Sequence, residues 1–337
     1  MKAVVYLWTM MLISTAISGA ELATPEAPRF SIGTPVSYLG CCDASAGVAL
    51  SSNLFIMAND EDNRLLVYRR DQAGPPVQVF GAGAFLQVDP RKPESDLEGA
   101  TRQGDRIYWI TSHGRNRSGE ARESRHRFFA TSFRLTDQGR VELKAVGQPY
   151  TRLLDDLVNE PRLKPFNLWR ASLRAPKEAG GLNIEGLCTT TNGDLLLGFR
   201  NPIPGNRALL VPLQNPADLL AGRRAKFGPP ILLDLGGLGV RDLLWAHGRC
   251  LIIAGPYDGK GHFHLYDWDG HSTEPRKIPE THFREMNPEA LLLYPDAPAG
   301  EFQILSDDGT RKIAGADCKQ IKDPARKSFR SYQIRLE

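Results

Sequence analysis

A short acidic motif recurs along this chain, each time at the head of an apolar run. It reads Asp96-Leu97-Glu98-Gly99-Ala100, Asn183-Ile184-Glu185-Gly186-Leu187 and Asn287-Pro288-Glu289-Ala290-Leu291. Arg241-Asp242-Leu243-Leu244 is a looser copy, and Asp43-Ala44-Ser45-Ala46-Gly47 is a degenerate one with Ser45 in the acidic slot. With Ser45, Glu98, Glu185, Asp242 and Glu289 taken as that slot, subtraction gives steps of 53, 87, 57 and 47 residues. A repeat of this length is close to that of a propeller blade.

The segments between the motifs read as strands. Leu54–Ala58, Ile107–Thr111, Leu195–Phe199, Leu251–Ala254 and Phe302–Leu305 are short, rich in aliphatic and aromatic residues, and bounded by Gly, Asp, Asn or Pro. The dipeptides Gly104-Asp105, Gly193-Asp194 and Gly248-Arg249 are placed to close two-residue hairpins. Four antiparallel strands per repeat around one axis make an all-β propeller, with five blades expected and six the alternative. A strand near residues 29–38 precedes the first motif, and the last repeat lacks an outer strand. The simplest closure lets the first complete the second, leaving no free sheet edge. The long 87-residue step contains helical apolar spacing near 152–175, an insertion that either caps the propeller or packs beside it, with packing preferred.

Met1-Lys2, the apolar run from Ala3 to Ile17 and the small residues Ser18-Gly19-Ala20 have the form of a secretory leader cleaved after Ala20. The expected mature chain, 21–337, is then one propeller domain in the periplasm or secreted, with no integral membrane segment. The formal charge of the whole chain is +3, a near-balance that argues against a nucleic-acid or membrane-surface binder. Five cysteines occur. Cys188 and Cys250 fall in apolar strand patterns, whereas Cys41 or Cys42 paired with Cys318 would join the two ends of the domain.

In a four-stranded blade, the connection entering the inner strand and the loop after the second strand lie at the same end. The motifs and the loops around Asp60-Glu61, His113 to Arg115, Arg200 and Asp307-Asp308 therefore converge on one face, where binding and catalysis concentrate. Glu98, Glu185, Asp242 and Glu289 are expected to ring a funnel as candidate acid–base carboxylates, since close neighbours raise one another's pKa. Asp60, Glu61, Asp307 and Asp308 are candidate ligands for a hard cation, Ca²⁺ or Mg²⁺. His113, Arg115, Arg125, Arg200, Arg241 and Lys177 are candidate contacts for an anion, because guanidinium and ammonium groups pair with phosphate or carboxylate. No Gly-x-Ser-x-Gly elbow, His-Glu-x-x-His pair or Walker loop is present, so those mechanisms lose support.

Asp96–Ala100 followed by Ile107–Asn116, together with Ala175–Leu187, Leu195–Arg200, Ile252–Asp258 and Leu305–Gly309, resembles the bacterial domain-of-unknown-function family 3616. That family carries no established activity, so the resemblance implies a fold and a single domain. More distantly, the acid-Gly/Ala motif is similar to that of phytase-like esterase propellers, which implies metal on the equivalent face. Ser45 in the acidic slot departs from a symmetric ring. The resulting expectation is an exported propeller presenting an acidic, metal-capable face to a small anionic ligand or a partner protein. The alternative is a divalent-metal-assisted hydrolase of an anionic phosphoester.

Overall fold

The computed structural model describes residues 30–279, 283 and 285–336. The expected leader, 1–20, lies outside the described residues. Among the described residues, five antiparallel sheets of four or five strands follow one another along the chain, besides a two-stranded hairpin, Lys312–Ile313 with Ala316–Asp317. Blade 1 is Ala44–Ala49, Leu54–Asn59, Arg64–Arg69 and Gln78–Gly81, and blade 2 is Leu97–Gln103, Arg106–Thr111, Phe128–Leu135 and Val141–Tyr150. Blade 3 is Asn183–Thr189, Leu195–Asn201, Ala208–Leu213 and Ile231–Leu233, and blade 4 is Gly239–Ala246, Arg249–Gly255, His264–Trp268 and Arg276–Lys277. Blade 5 takes Pro288–Leu292, Glu301–Ser306 and Ser328–Leu336, and its outer edge is completed by Phe30–Ile32 and Val36–Leu39. Each innermost strand touches the next, and that of blade 5 touches that of blade 1. The ring is therefore closed, and the fold is a five-bladed propeller.

The apolar residues are used at the seams. Among the described residues, one hydrophobic cluster lies between each pair of adjacent blades. Each fully buried Leu, Ile or Phe there contributes about 1.5–3 kcal/mol. Between blades 2 and 3 and between blades 3 and 4, close approach requires a glycine just after the acidic slot. A Cβ on Gly99 would stand 2.7 Å from the Glu185 carbonyl oxygen, and one on Gly186 would stand 2.7 Å from Val240 Cγ1.

The insertion consists of short helices, Leu153–Asn159, Pro161–Phe166 and Leu168–Ser172. Leu153, Leu157, Leu163 and Leu168 join the cluster between blades 2 and 3, so it packs against the propeller's side. Asp156 holds it there by accepting hydrogen bonds from the Arg224 side chain at 2.7 Å and Ala225 N at 2.9 Å. Of the expected hairpins, Gly104-Asp105 closes a two-residue turn. In blade 4 the turn residues are instead His247 and Gly248, both at positive φ, the geometry that matches strand twist. Gly193-Asp194 falls in a longer connection between Thr189 and Leu195. A disulfide joins Cys42 to Cys318 across 276 residues, locking blade 5 to the chain segment that leads into blade 1. Cys41, Cys188 and Cys250 are free and buried. No helix among the described residues is long and apolar enough to cross a membrane.

Candidate functional site

Every innermost strand carries a one-residue bulge near its start. Pairing skips from Ala44 to Ala46, Leu97 to Gly99, Ile184 to Gly186, Val240 to Asp242 and Pro288 to Ala290. The skipped residues are Ser45, Glu98, Glu185, Arg241 and Glu289. A bulge re-aims the extra side chain, and four of these five line a cavity of about 580 Å³ at the propeller axis. Two positions earlier in each repeat stand Asp43, Asp96, Asn183, Gly239 and Asn287, and all but Gly239 line the same cavity. Sequence reasoning did not single out Asp43, Asp96, Asn183 or Asn287 as site residues, although the first position of the repeated motif carried the signal.

Asp242 is therefore one residue out of register with the slot. It occupies the small-residue position filled elsewhere by Ala46, Gly99, Gly186 and Ala290. Its buried Oδ2 accepts the Leu291 backbone N–H at 2.6 Å across the seam to blade 5. Burial pushes its carboxyl well up. The slot itself holds Arg241, which pairs with Glu185 at 3.1 Å and with Glu289. In blade 1 the Ser45 hydroxyl donates to Leu97 O at 2.5 Å, so this position closes a seam.

The wall formed by blades 1 and 5 is acidic. One carboxylate oxygen from each of Asp43, Asp60 and Glu61 lies within 4.8 Å of the others. That span lies within the range of distances between opposite vertices of a Ca²⁺ shell, about 4.6–5.2 Å for metal–oxygen bonds of 2.3–2.6 Å. Asp43 is pushed up to about 8 by burial, then by Asp307 and Glu61. Asp60 is raised well above the carboxylate range by burial, with Asp43 and Glu98 adding to it. Its Oδ1 is buried without a hydrogen-bond partner. Glu98 is raised in the same way, by burial and then by Glu185 and Asp96, and its carboxylate has no hydrogen bond or ion pair among the described residues. At the rim, Arg125 is taken up by Glu94 at 2.6 Å and Asp96 at 2.7 Å. Even so, burial and Asp96 hold Glu94 at about 7.

The opposite wall is cationic. Arg200 Nη1 donates to Glu185 at 2.8 Å, while its Nε is buried with no partner. Lys177, delivered by the chain leaving the helical insertion, has no ion pair or hydrogen bond among the described residues. Desolvation at the cavity, then Arg200 and Arg241, lower its pKa. The lining as a whole holds nine carboxylates against six cationic side chains, a formal excess of three negative charges.

Three other predicted site residues stand outside this cavity. His113 is buried, its Nδ1 bonded to Thr111 O at 2.8 Å and its ring stacked on His126. Burial and the neighbouring His126 lower its pKa to about 3. Arg115 is spent on Ser172 O and Gly119 O, both at 2.9 Å, anchoring the insertion. Asp308 is the buried counter-ion of Arg330 at 2.8 Å and also accepts from Ser306 at 3.0 Å. Asp307 alone of that pair lines the cavity.

Residues 134–293 match the family described as "Protein of unknown function (DUF3616)". The match spans a little under half of the chain, from the third strand of blade 2 to the start of blade 5. No curated protein matches the sequence. Among solved structures, the Cps50 (Swd1) β-propeller domain of Myceliophteria thermophila is 9% identical, with 92% of this chain and 100% of that chain covered at a TM-score of 0.40. A luciferin-regenerating enzyme is 12% identical over 90% of this chain and 97% of that one, TM-score 0.40. The extracellular domain of a protein described as a hybrid two component system from B. thetaiotaomicron is 13% identical, TM-score 0.33. There 79% of this chain is covered, and the chain spans a quarter of the other's length. At these scores nothing about ligand or activity transfers.

Proposed function

We propose that this protein is an exported binding propeller whose axial cavity takes a divalent cation, Ca²⁺ or Mg²⁺, together with a small anionic ligand. Asp43, Asp60 and Glu61 would hold the cation, with Asp307 beside them. One observation carries the reading. Asp43 and Asp60, raised by burial and then by neighbouring carboxylates and without an ion pair among the described residues, share a cavity with a lysine that has none there either. Like charges held together out of water destabilise a fold unless a counter-charge arrives, and a hard cation is the natural one. The Cys42–Cys318 disulfide supports export, since such bonds persist in oxidising compartments.

The test is metal analysis of the purified protein against a chelator-treated control, followed by calorimetric titration with Ca²⁺ and Mg²⁺. We expect near-stoichiometric uptake that is lost in Asp43→Asn and Asp60→Asn. Failure of the wild type to bind either ion at millimolar concentration sinks the reading.

Glu98 favours a second reading, a hydrolase of an anionic ester. A bound cation would supply electrophilic polarisation. Glu98, a carboxylate with a raised pKa and no ion pair among the described residues, is suited to hold the proton taken from water. Turnover of a generic phosphoester that disappears in Glu98→Gln would decide for this reading, and absence of turnover in the metal-loaded wild type against it.

A further inference from the structure

We propose that Lys177 and one edge of Arg200 form a seat for a tetrahedral oxyanion, a phosphate or sulfate head group, at the mouth of the axial cavity. The inference rests on the binding reading above and names both the head group and its place. The cationic wall is not uniformly available. Arg241 is spent on Glu185 and Glu289, and Arg125 on Glu94 and Asp96. Arg200 gives only Nη1 to Glu185. Its Nε is buried and unpartnered, and its Nη2 makes no hydrogen bond among the described residues. Nε and Nη2 form the side-on fork that grips oxyanions bidentately.

Lys177 comes to the same spot from another part of the chain. Arg200 Nη2 and Lys177 Nζ lie 3.6 and 3.9 Å from the point where a side chain on Gly259 would begin. Gly259 sits at φ +76°, in the backbone region that glycine fills without strain, and it leaves the space between the two cations open. Two parallel N–H groups and an ammonium call for three acceptor oxygens arranged around one atom. A tetrahedral oxyanion supplies them, whereas a planar carboxylate supplies two. Because carboxylates outnumber cations around the cavity, the seat fills best after a divalent cation has offset the excess negative charge.

The probes are inorganic phosphate, sulfate and acetate, titrated calorimetrically into the full chain with and without saturating Mg²⁺. Phosphate or sulfate should bind at least tenfold more tightly than acetate, and more tightly with Mg²⁺ than without. Preference between the first two identifies the head group. Lys177 is exposed and has no partner among the described residues, so Lys177→Met should fold normally, keep its Mg²⁺ affinity and lose at least tenfold in phosphate or sulfate affinity. Lys177→Arg should recover most of that loss. Unchanged oxyanion affinity in Lys177→Met, or acetate binding as tightly as phosphate and sulfate, overturns the seat. Oxyanion binding that depends on Lys177 in a protein that takes up no Mg²⁺ would leave the seat standing and remove the cation reading, so the two fail separately.

Discussion

Replacing Asp242 with alanine should weaken the fold and leave cation uptake alone. The buried Asp242 carboxylate accepts the Leu291 N–H at 2.6 Å, tying blade 4 to blade 5. Alanine removes the acceptor and leaves a backbone donor buried without a partner, which costs about 1–3 kcal/mol. Unfolding entropy near 2.1 cal/mol/K per residue, over about 300 ordered residues, converts 2 kcal/mol into a drop of about 3 °C in Tm. Asp242→Asn keeps an oxygen in place and should cost less than about 1 kcal/mol. Calorimetric melting and urea titration of both variants, paired with Ca²⁺ and Mg²⁺ titrations, give the answer. The reasoning fails if Asp242→Ala melts with the wild type but no longer binds cation. Asp242, and not Arg241, would then face the axis.

Two further outcomes follow from the same geometry. In chelator, stability should fall as pH rises from about 5 to 8. Asp43 and Glu94 hold their protons to about 8 and 7 in the fold, whereas the unfolded chain gives them up near 4. Between those values the unfolded state binds fewer protons and gains on the native state. Asp43 alone, at 1.36 kcal/mol per pH unit, accounts for about 3 kcal/mol between pH 5 and 7.5. Urea midpoints that rise with pH in chelator would contradict this, and saturating Ca²⁺ should flatten the dependence. Separately, Cys42→Ser with Cys318→Ser opens a 276-residue loop and should cost about 4 kcal/mol. An unchanged urea midpoint would show that strand pairing alone holds the ring shut.

The blade count was legible because hydrophobic strands and motif spacing both report one repeating unit. The acidic slots of blades 2, 3 and 5 were legible too, since Glu98, Glu185 and Glu289 stand at the same point of the same motif. The slot of blade 4 was misassigned. Matching residues by charge selected Asp242, but the bulge selects by backbone register, and there the extra residue is Arg241. His113 and Arg115 looked free in a basic run, yet the local backbone and the helical insertion consume them. Asp308 was indistinguishable from Asp307 as text. Arg330, 22 residues further on, takes only the former.

What the amino-acid order determined by itself is local and periodic: where strands begin, and that one polar motif returns once per blade. Those properties depend on neighbours a few residues away, so they can be read along the chain. Which carboxylates remain unpaired was decided only by closure of the ring. Arg241 reaches Glu185 and Glu289 from a third blade and, with Arg200 also on Glu185, balances the two, while Glu98 forms no ion pair among the described residues and Asp43 meets Asp60 and Glu61 in a crowded wall. Coulomb energies fall with distance in space and take no account of separation along the chain, so the site's charge pattern exists only once the blades are assembled.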